Sequence, residues 1–152
     1  MVPDGPSAFE AVAQGDPGAP RGRELEFVDV LAHAHERGVA NLVFLTADVH
    51  YTAAHRYDPA RAAVSDFTPF WEFVSGPLNA GAFGPNPLDP TFGPEAVFVK
   101  APPAPNTSPA DGYQFFGHVA IDGDTRVMTV SLRDLDGQIL HTVDIEPQRG
   151  RA

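Results

Sequence analysis

An α/β fold with one main helix, one buried strand and a C-terminal antiparallel meander is the class this sequence predicts. Two observations predict it. Residues 23–37 carry an apolar stripe at helical spacing, then come Gly38 and the short apolar run Asn41–Thr46; helix, glycine, buried strand is how a layered α/β fold reads. Residues 113–145 instead alternate with a period of two, punctuated by Asp122-Gly123-Asp124 and Asp136-Gly137, which are natural hairpin turns.

In order, residues 1–22 hold four Pro and four Gly and read as loop, with a short turn at Ser7–Ala13. The helix follows, with Leu25, Val28, Leu31 or Ala32, and His35 on its apolar face. Glu24 and Glu26 stand at its start and Arg37 near its end, as the helix dipole favours, and Gly38 suits the position after its last turn. Phe70–Val74 fits a strand, and so does Ala96–Lys100. Between them, residues 76–94 contain five Pro, four Gly and two Phe, an ordered loop held by its aromatics. Residues 101–112 form a second loop. In the meander, Phe115, Gly117, Val119 and Ile121 share one face. Met128, Val130 and Leu132 oppose Val127, Thr129 and Ser131, and Ile139, His141, Val143 and Ile145 line the last strand.

Composition removes several function classes. The 152 residues suit one domain, and 43% are hydrophobic, unlike a disordered tail. Asp and Glu number 20 against 10 Lys and Arg, which opposes docking on nucleic-acid phosphates or an anionic membrane. Neither a signal peptide nor a spanning segment is expected. Without cysteine there is no disulfide framework, thiolate nucleophile or Cys-based zinc site. The cluster Phe67, Phe70, Trp71 and Phe73 reads as core, because the net charge argues against a base-stacking platform. No phosphate-binding glycine loop, nucleophile elbow or HExxH helix appears.

The candidate chemistry lies in NLVFLTADVHYTAAHRY, residues 41–57. Asp48 and His50, spaced i and i+2 just beyond a strand, can converge on a metal if the chain turns there, and such loops are the usual ligand sites of open α/β sheets. Carboxylate oxygen and imidazole nitrogen suit Fe, Mn or Zn, with Ca if more oxygens join. The plainer reading makes Asp48 a turn brace and His50 a half-buried, satisfied histidine. His55 and Tyr57 lie close enough to support the site or face a substrate, or else simply flank a turn at Asp58-Pro59. His118 and His141 read as packed strand histidines, and His33 and His35 as structural. One carboxylate and one histidine are too few for two cations roughly 3.5–4 Å apart.

Four segments carry a resemblance beyond this motif: VPDGPSAFEAVAQGDPGAPRGRELE, NLVFLTADVHYTAAHRYDPARA, FTPFWEFVSGPLNAGAFGPNPLDPTFGP and YQFFGHVAIDGDTRVMTVSLRDLDGQIL. In this order they resemble the C-terminal portion of PhoD-like alkaline phosphatases of the metallophosphoesterase superfamily. The resemblance implies a four-layer α/β/β/α fold of which residues 1–150 form the C-terminal portion only, a partial metallophosphoesterase-type sandwich. It implies phosphoric ester hydrolysis by secreted or periplasmic enzymes using Fe(III) and Ca, or a similar cation pair, on small-molecule phosphate esters. It places Asp48 and His50 at the metal centre, with His50 the catalytic residue. The earlier ligand-bearing segments of the family find no counterpart before residue 41, so this chain is expected to supply only part of the site and to be inactive alone. The alternative is a non-catalytic β-rich structural or dimerisation domain, pairing through an exposed sheet edge or face.

Overall fold

The computed structural model describes residues 11–16 and 18–148. One helix, α1 (Arg23–Glu36), precedes seven strands: β1 (Val43–Thr46), β2 (Thr52–Tyr57), β3 (Phe70–Val74), β4 (Pro94–Lys100), β5 (Phe115–Ile121), β6 (Met128–Asp134) and β7 (Ile139–Ile145). Two sheets result, one ordered β1-β3-β2-β4 and one ordered β5-β6-β7. The α/β class, the main helix and the C-terminal meander are as the sequence predicts. The turn expected at Ser7–Ala13 lies mostly outside the described residues. Among the described residues, no helix is long and apolar enough to cross a membrane.

Strand alternation sorts the core into layers. Phe44 on β1, Phe70 on β3 and Tyr57 on β2 face α1, where they meet Phe27, Val28 and Leu31. Phe27 makes edge-on ring contacts with Phe44, Phe70 and Phe92 at centroid separations of 5.2–6.3 Å, the geometry aromatic quadrupoles favour. The opposite face of the first sheet offers Val43, Trp71, Phe73, Ala54 and Phe98, which pack on Val130, Leu132, Val143 and Ile145 of the second sheet. Three layers follow: helix, mixed sheet, antiparallel sheet.

Several expectations change in detail. The apolar face of α1 is turned toward Phe27, so Leu25 is 52% exposed. The strand expected over Asn41–Thr46 spans Val43–Thr46 and, among the described residues, pairs only with β3, in parallel. It is therefore an edge strand, and Leu45 is 61% exposed instead of buried. In β5 only Phe115 is buried; Val119 and Ile121 remain exposed because no layer covers that end. His55 and Tyr57 lie on the strand β2, paired on both sides with β3 and β4, which runs into the turn at Asp58-Pro59, and both side chains are buried instead of on the surface.

The loops are built by repetition of one device. Asp58, Asp89 and Ser108 each precede a proline, and each side chain accepts from the backbone N–H two residues on, opening a short 3-10 turn. Proline in the first turn removes an N–H that would have no partner there, and the capping oxygen satisfies the next. The segment 76–94 is an irregular loop apart from one such turn, Pro90–Phe92, and 101–112 apart from Pro109–Asp111.

Candidate metal site at the end of β1

The chain leaves β1 through a tight turn. Val49 N donates to Ala47 O at 3.1 Å, and Asp48 between them has a φ of 78°. This is a three-residue γ-turn of the rarer, strained kind. Asp tolerates the left-handed region better than most residues but not without cost, and strain held at a polar, exposed carboxylate is a pointer to function. Ser75 N bonds Thr46 O at 3.1 Å, so the loop after β3 leaves the sheet at the same end.

His50 is fixed on several sides. Its Nδ1 lies 2.6 Å from Gly81 O. A carbonyl oxygen can only accept, so Nδ1 carries the proton and, in the neutral ring, Nε2 keeps its lone pair. The ring lies against Phe83, with centroids 4.6 Å apart at 33°, and Phe83 N donates to His50 O at 3.2 Å. An imidazole whose second nitrogen is committed to a backbone carbonyl is how proteins orient a metal-ligating histidine.

Beneath this end of the sheet runs a buried polar layer. Glu72 on β3 receives a hydrogen bond from Thr46 Oγ1 at 2.9 Å on one carboxylate oxygen and from Tyr57 OH at 2.7 Å on the other. His55 Nδ1 stands 3.5 Å from Glu72 Oε2, beyond the geometry of a hydrogen bond. Burial pushes the Glu72 carboxyl up, but the His55 imidazole and the Tyr57 hydroxyl are among the groups that outweigh it, leaving the carboxyl at about 2. Burial, then the adjacent Glu72 charge, holds the Tyr57 phenol well above its ordinary range. His55 and Tyr57 are 1% and 2% exposed. Burial of this extent rules out the reading of these two side chains as surface polar residues.

A second acidic group lies on the helix side. Asp16, Glu24 and Asp89 bring ligand oxygens within 4.8 Å of one another and could hold a metal ion. Nothing in the sequence pattern marks them together: Gly15 N reaches Asp89 Oδ2 across 74 positions. Gln14 N and Arg21 N donate to Glu24, Thr91 N donates to Asp89, and Arg21 stands 3.4 Å from Asp16. Glu24, at the start of the helix as the dipole favours, is thus also buried and ties the loop before α1 to the helix. Asp48 and His50 do not form a group of this kind with a third acidic or histidine side chain among the described residues.

A family model of PhoD-like phosphatases matches residues 2–132. The chain belongs to the PhoD-like phosphatase family. No curated protein and no solved structure matches it. The match corrects one expectation: it covers the N-terminal and main body of the chain, so the likeness is not that of a C-terminal portion only. It takes in α1, the whole first sheet and the meander up to Leu132, while β7 lies beyond it. The α/β architecture, with one main helix and mixed and antiparallel sheets, is consistent with a partial metallophosphoesterase-type sandwich.

The remaining histidines of this PhoD-like phosphatase lie on α1, β5 and β7. His141 is packed as expected, stacked on Phe98 at 4.8 Å and 3°, and burial lowers its pKa. His118, expected to be packed, is exposed on the edge strand β5. His35 bonds Thr68 and His33 is exposed. Between the two edge strands a cleft of about 290 Å³ is lined by Leu45, Ala47, Phe73, Ser75, Gly117 and Val119.

Proposed function

We propose that this PhoD-like phosphatase contributes to phosphoric ester hydrolysis through a metal centre to which Asp48 and His50 supply ligands. The observation that carries the reading is the hydrogen bond from His50 Nδ1 to Gly81 O, which leaves Nε2 as a lone-pair donor two residues along the chain from the exposed Asp48. One carboxylate and one neutral imidazole fit Fe(III), Ca or a similar cation pair, with further ligands needed for a complete centre. Bound cations would neutralise charge on the phosphoryl oxygens and lower the pKa of an attacking water.

The residues of this chain divide the remaining work. Asp48 offers its oxygens at the solvent-facing tip of the γ-turn, where a small phosphate ester can approach. His50 is held by Gly81 and Phe83 so that its free nitrogen keeps one direction, and its role at the centre is the catalytic one. His55 and Tyr57 act from below, through Glu72 and Thr46, on the strand that ends in the turn. The acidic surface does not oppose an anionic substrate once cations reverse the local field. An extracytoplasmic location belongs to the same reading, and the absence of cysteine is compatible with it.

The test is metal content by mass spectrometry on protein purified without chelator, with turnover of an aryl phosphate on the same sample. The expected result is cation bound to the wild type and lost in Asp48→Ala and His50→Ala. Turnover would show that the chain completes the centre; bound cation without turnover would show that it supplies only part. A wild type free of cation even after incubation with Fe(III) and Ca would overturn the reading.

A second reading is favoured by a specific observation: the edge strands expose Leu45 at 61% and Ile121 at 67%. On that reading the chain is a non-catalytic dimerisation domain. Self-association without cation binding would establish it.

A further inference from the structure

We infer that Gln114 is a positioning residue that sets the tautomer and direction of His50, an inference that rests on the metal-ligand reading above. Gln114 lies between loop and sheet, 6% exposed. Its side-chain amide grips one residue of the opposite loop at both backbone groups. Ala80 N donates to Gln114 Oε1 at 3.3 Å, and Gln114 Nε2 donates to Ala80 O at 3.0 Å. A primary amide presents a donor and an acceptor side by side and so matches a peptide unit as a neighbouring strand would.

The next three residues show what this grip positions. Gly81 offers its carbonyl to His50 Nδ1 at 2.6 Å. Ala82 is fastened by two backbone bonds to Thr107, at 2.9 and 3.0 Å. Phe83 N donates to His50 O at 3.2 Å while its ring covers the imidazole. The carbonyl that selects the His50 tautomer is therefore flanked on one side by the Gln114 clamp and on the other by the Thr107 bridge. Gly81 has no side chain to lock it, and a Cβ there would run into the Asn106 side chain. Its orientation depends on the neighbours that hold it. Among the described residues, Gln114 is the side chain that hydrogen-bonds the residue preceding Gly81, and it lies 34 positions from it along the chain.

The experiment labels histidine with nitrogen-15 and records long-range proton–nitrogen correlations of the metal-free protein for the wild type, Gln114→Met and Gln114→Glu. Methionine fills the space without either hydrogen bond; glutamate keeps the acceptor for Ala80 N and loses the donor. In the wild type, neutral His50 should show a protonated Nδ1 and a bare Nε2. Gln114→Met should move it to a mixture of tautomers and lower Mn(II) affinity by about 10-fold, the order expected when a ligand loses its outer hydrogen-bond support. Gln114→Glu should fall between. A tautomer ratio unchanged in both folded variants would overturn the inference, whatever happened to their melting temperatures. If Gln114→Met does not fold, Gln114→Glu decides it by the same readout. The tautomer is read without metal, so a wild type that binds neither Mn(II) nor Fe(III) and Ca would sink the metal-ligand reading while leaving this inference to be judged on the imidazole alone.

Discussion

At Asp48 the chain holds a carboxylate in a backbone conformation that glycine would adopt more easily. The φ of 78° costs a non-glycine residue on the order of 1 kcal/mol, and glycine would recover that while losing up to about 1 kcal/mol in the entropy of the unfolded chain. Asp48→Gly should therefore fold with stability equal to the wild type or slightly above it, yet bind no cation at this loop. Paired urea melts and metal analysis check this, and a variant destabilised by 2 kcal/mol or more (roughly a full αL penalty in the wrong direction) would mean the carboxylate braces the turn. Glu72 makes the opposite case, a charge kept for the fold. Its carboxyl lies at about 2 in place of 4.5, so its stabilisation is complete above about 4.5 and is lost as pH falls from there to about 2. A shift of that size corresponds to roughly 3 kcal/mol. Glu72→Gln should cost a comparable amount at pH 7, because His55 and Tyr57 lose a buried anion, and should flatten the acid limb of the stability profile. Denaturant melts at pH 3 and pH 7 on both proteins would show it.

At the scale of elements, what the sequence discloses depends on whether a strand has one covered face or two. β6 and β7 alternate because one side is packed, and Asp-Gly turns mark their ends, so the meander is legible. β2 is covered on both sides: Thr52, Ala53, Ala54, His55 and Tyr57 are all buried, which erases the period of two. Its polar members look like loop residues until Glu72 is seen opposite His55 in the register. The DVH motif was legible for the same reason that β1 was, an apolar run ending in two ligand-type side chains. Its supports were not. Gly81 lies 31 positions from His50, and only tertiary pairing brings them together. The junction of β2, the turn at Pro59 and β4 supplies an element-scale prediction. Gly93 has a φ of 62°, and a Cβ there would sit 2.5 Å from Asp58 O and 2.7 Å from Ala62 N, both backbone atoms that cannot move alone. Gly93→Ala should cost about 2–4 kcal/mol by overpacking and left-handed strain. Gly123→Ala, which meets nothing within 4 Å, should stay within about 0.5 kcal/mol of the wild type. Thermal and urea melts of the pair check the contrast.

For the whole molecule, the decisive feature is a sandwich whose two sheets end in open strands on one side. Among the described residues, β1 has a partner only in β3 and β5 only in β6, and the cleft between them exposes Leu45 and Val119. Free backbone groups on an edge beside apolar side chains invite pairing with another chain. Against this stands a net charge of −10, which repels a second copy at long range and is screened over about 10 Å at 0.1 M salt. The two effects have opposite salt dependence. Self-association should accordingly be weak in low salt and strengthen as salt is added, whereas an interface built on ion pairs would weaken. Sedimentation equilibrium over a range of protein and salt concentrations measures this directly. Leu45→Lys, which places a charge on the edge without disturbing the buried face of β1, should return the protein to monomer while changing stability by less than about 0.5 kcal/mol. Asp48→Ala should leave any association intact while removing any bound cation, which separates the proposed pairing edge at Leu45 from the proposed metal loop three residues away. A protein that stays monomeric at every salt concentration would mean that the open edges are tolerated as they are, and that the cleft beside Asp48 remains open to solvent.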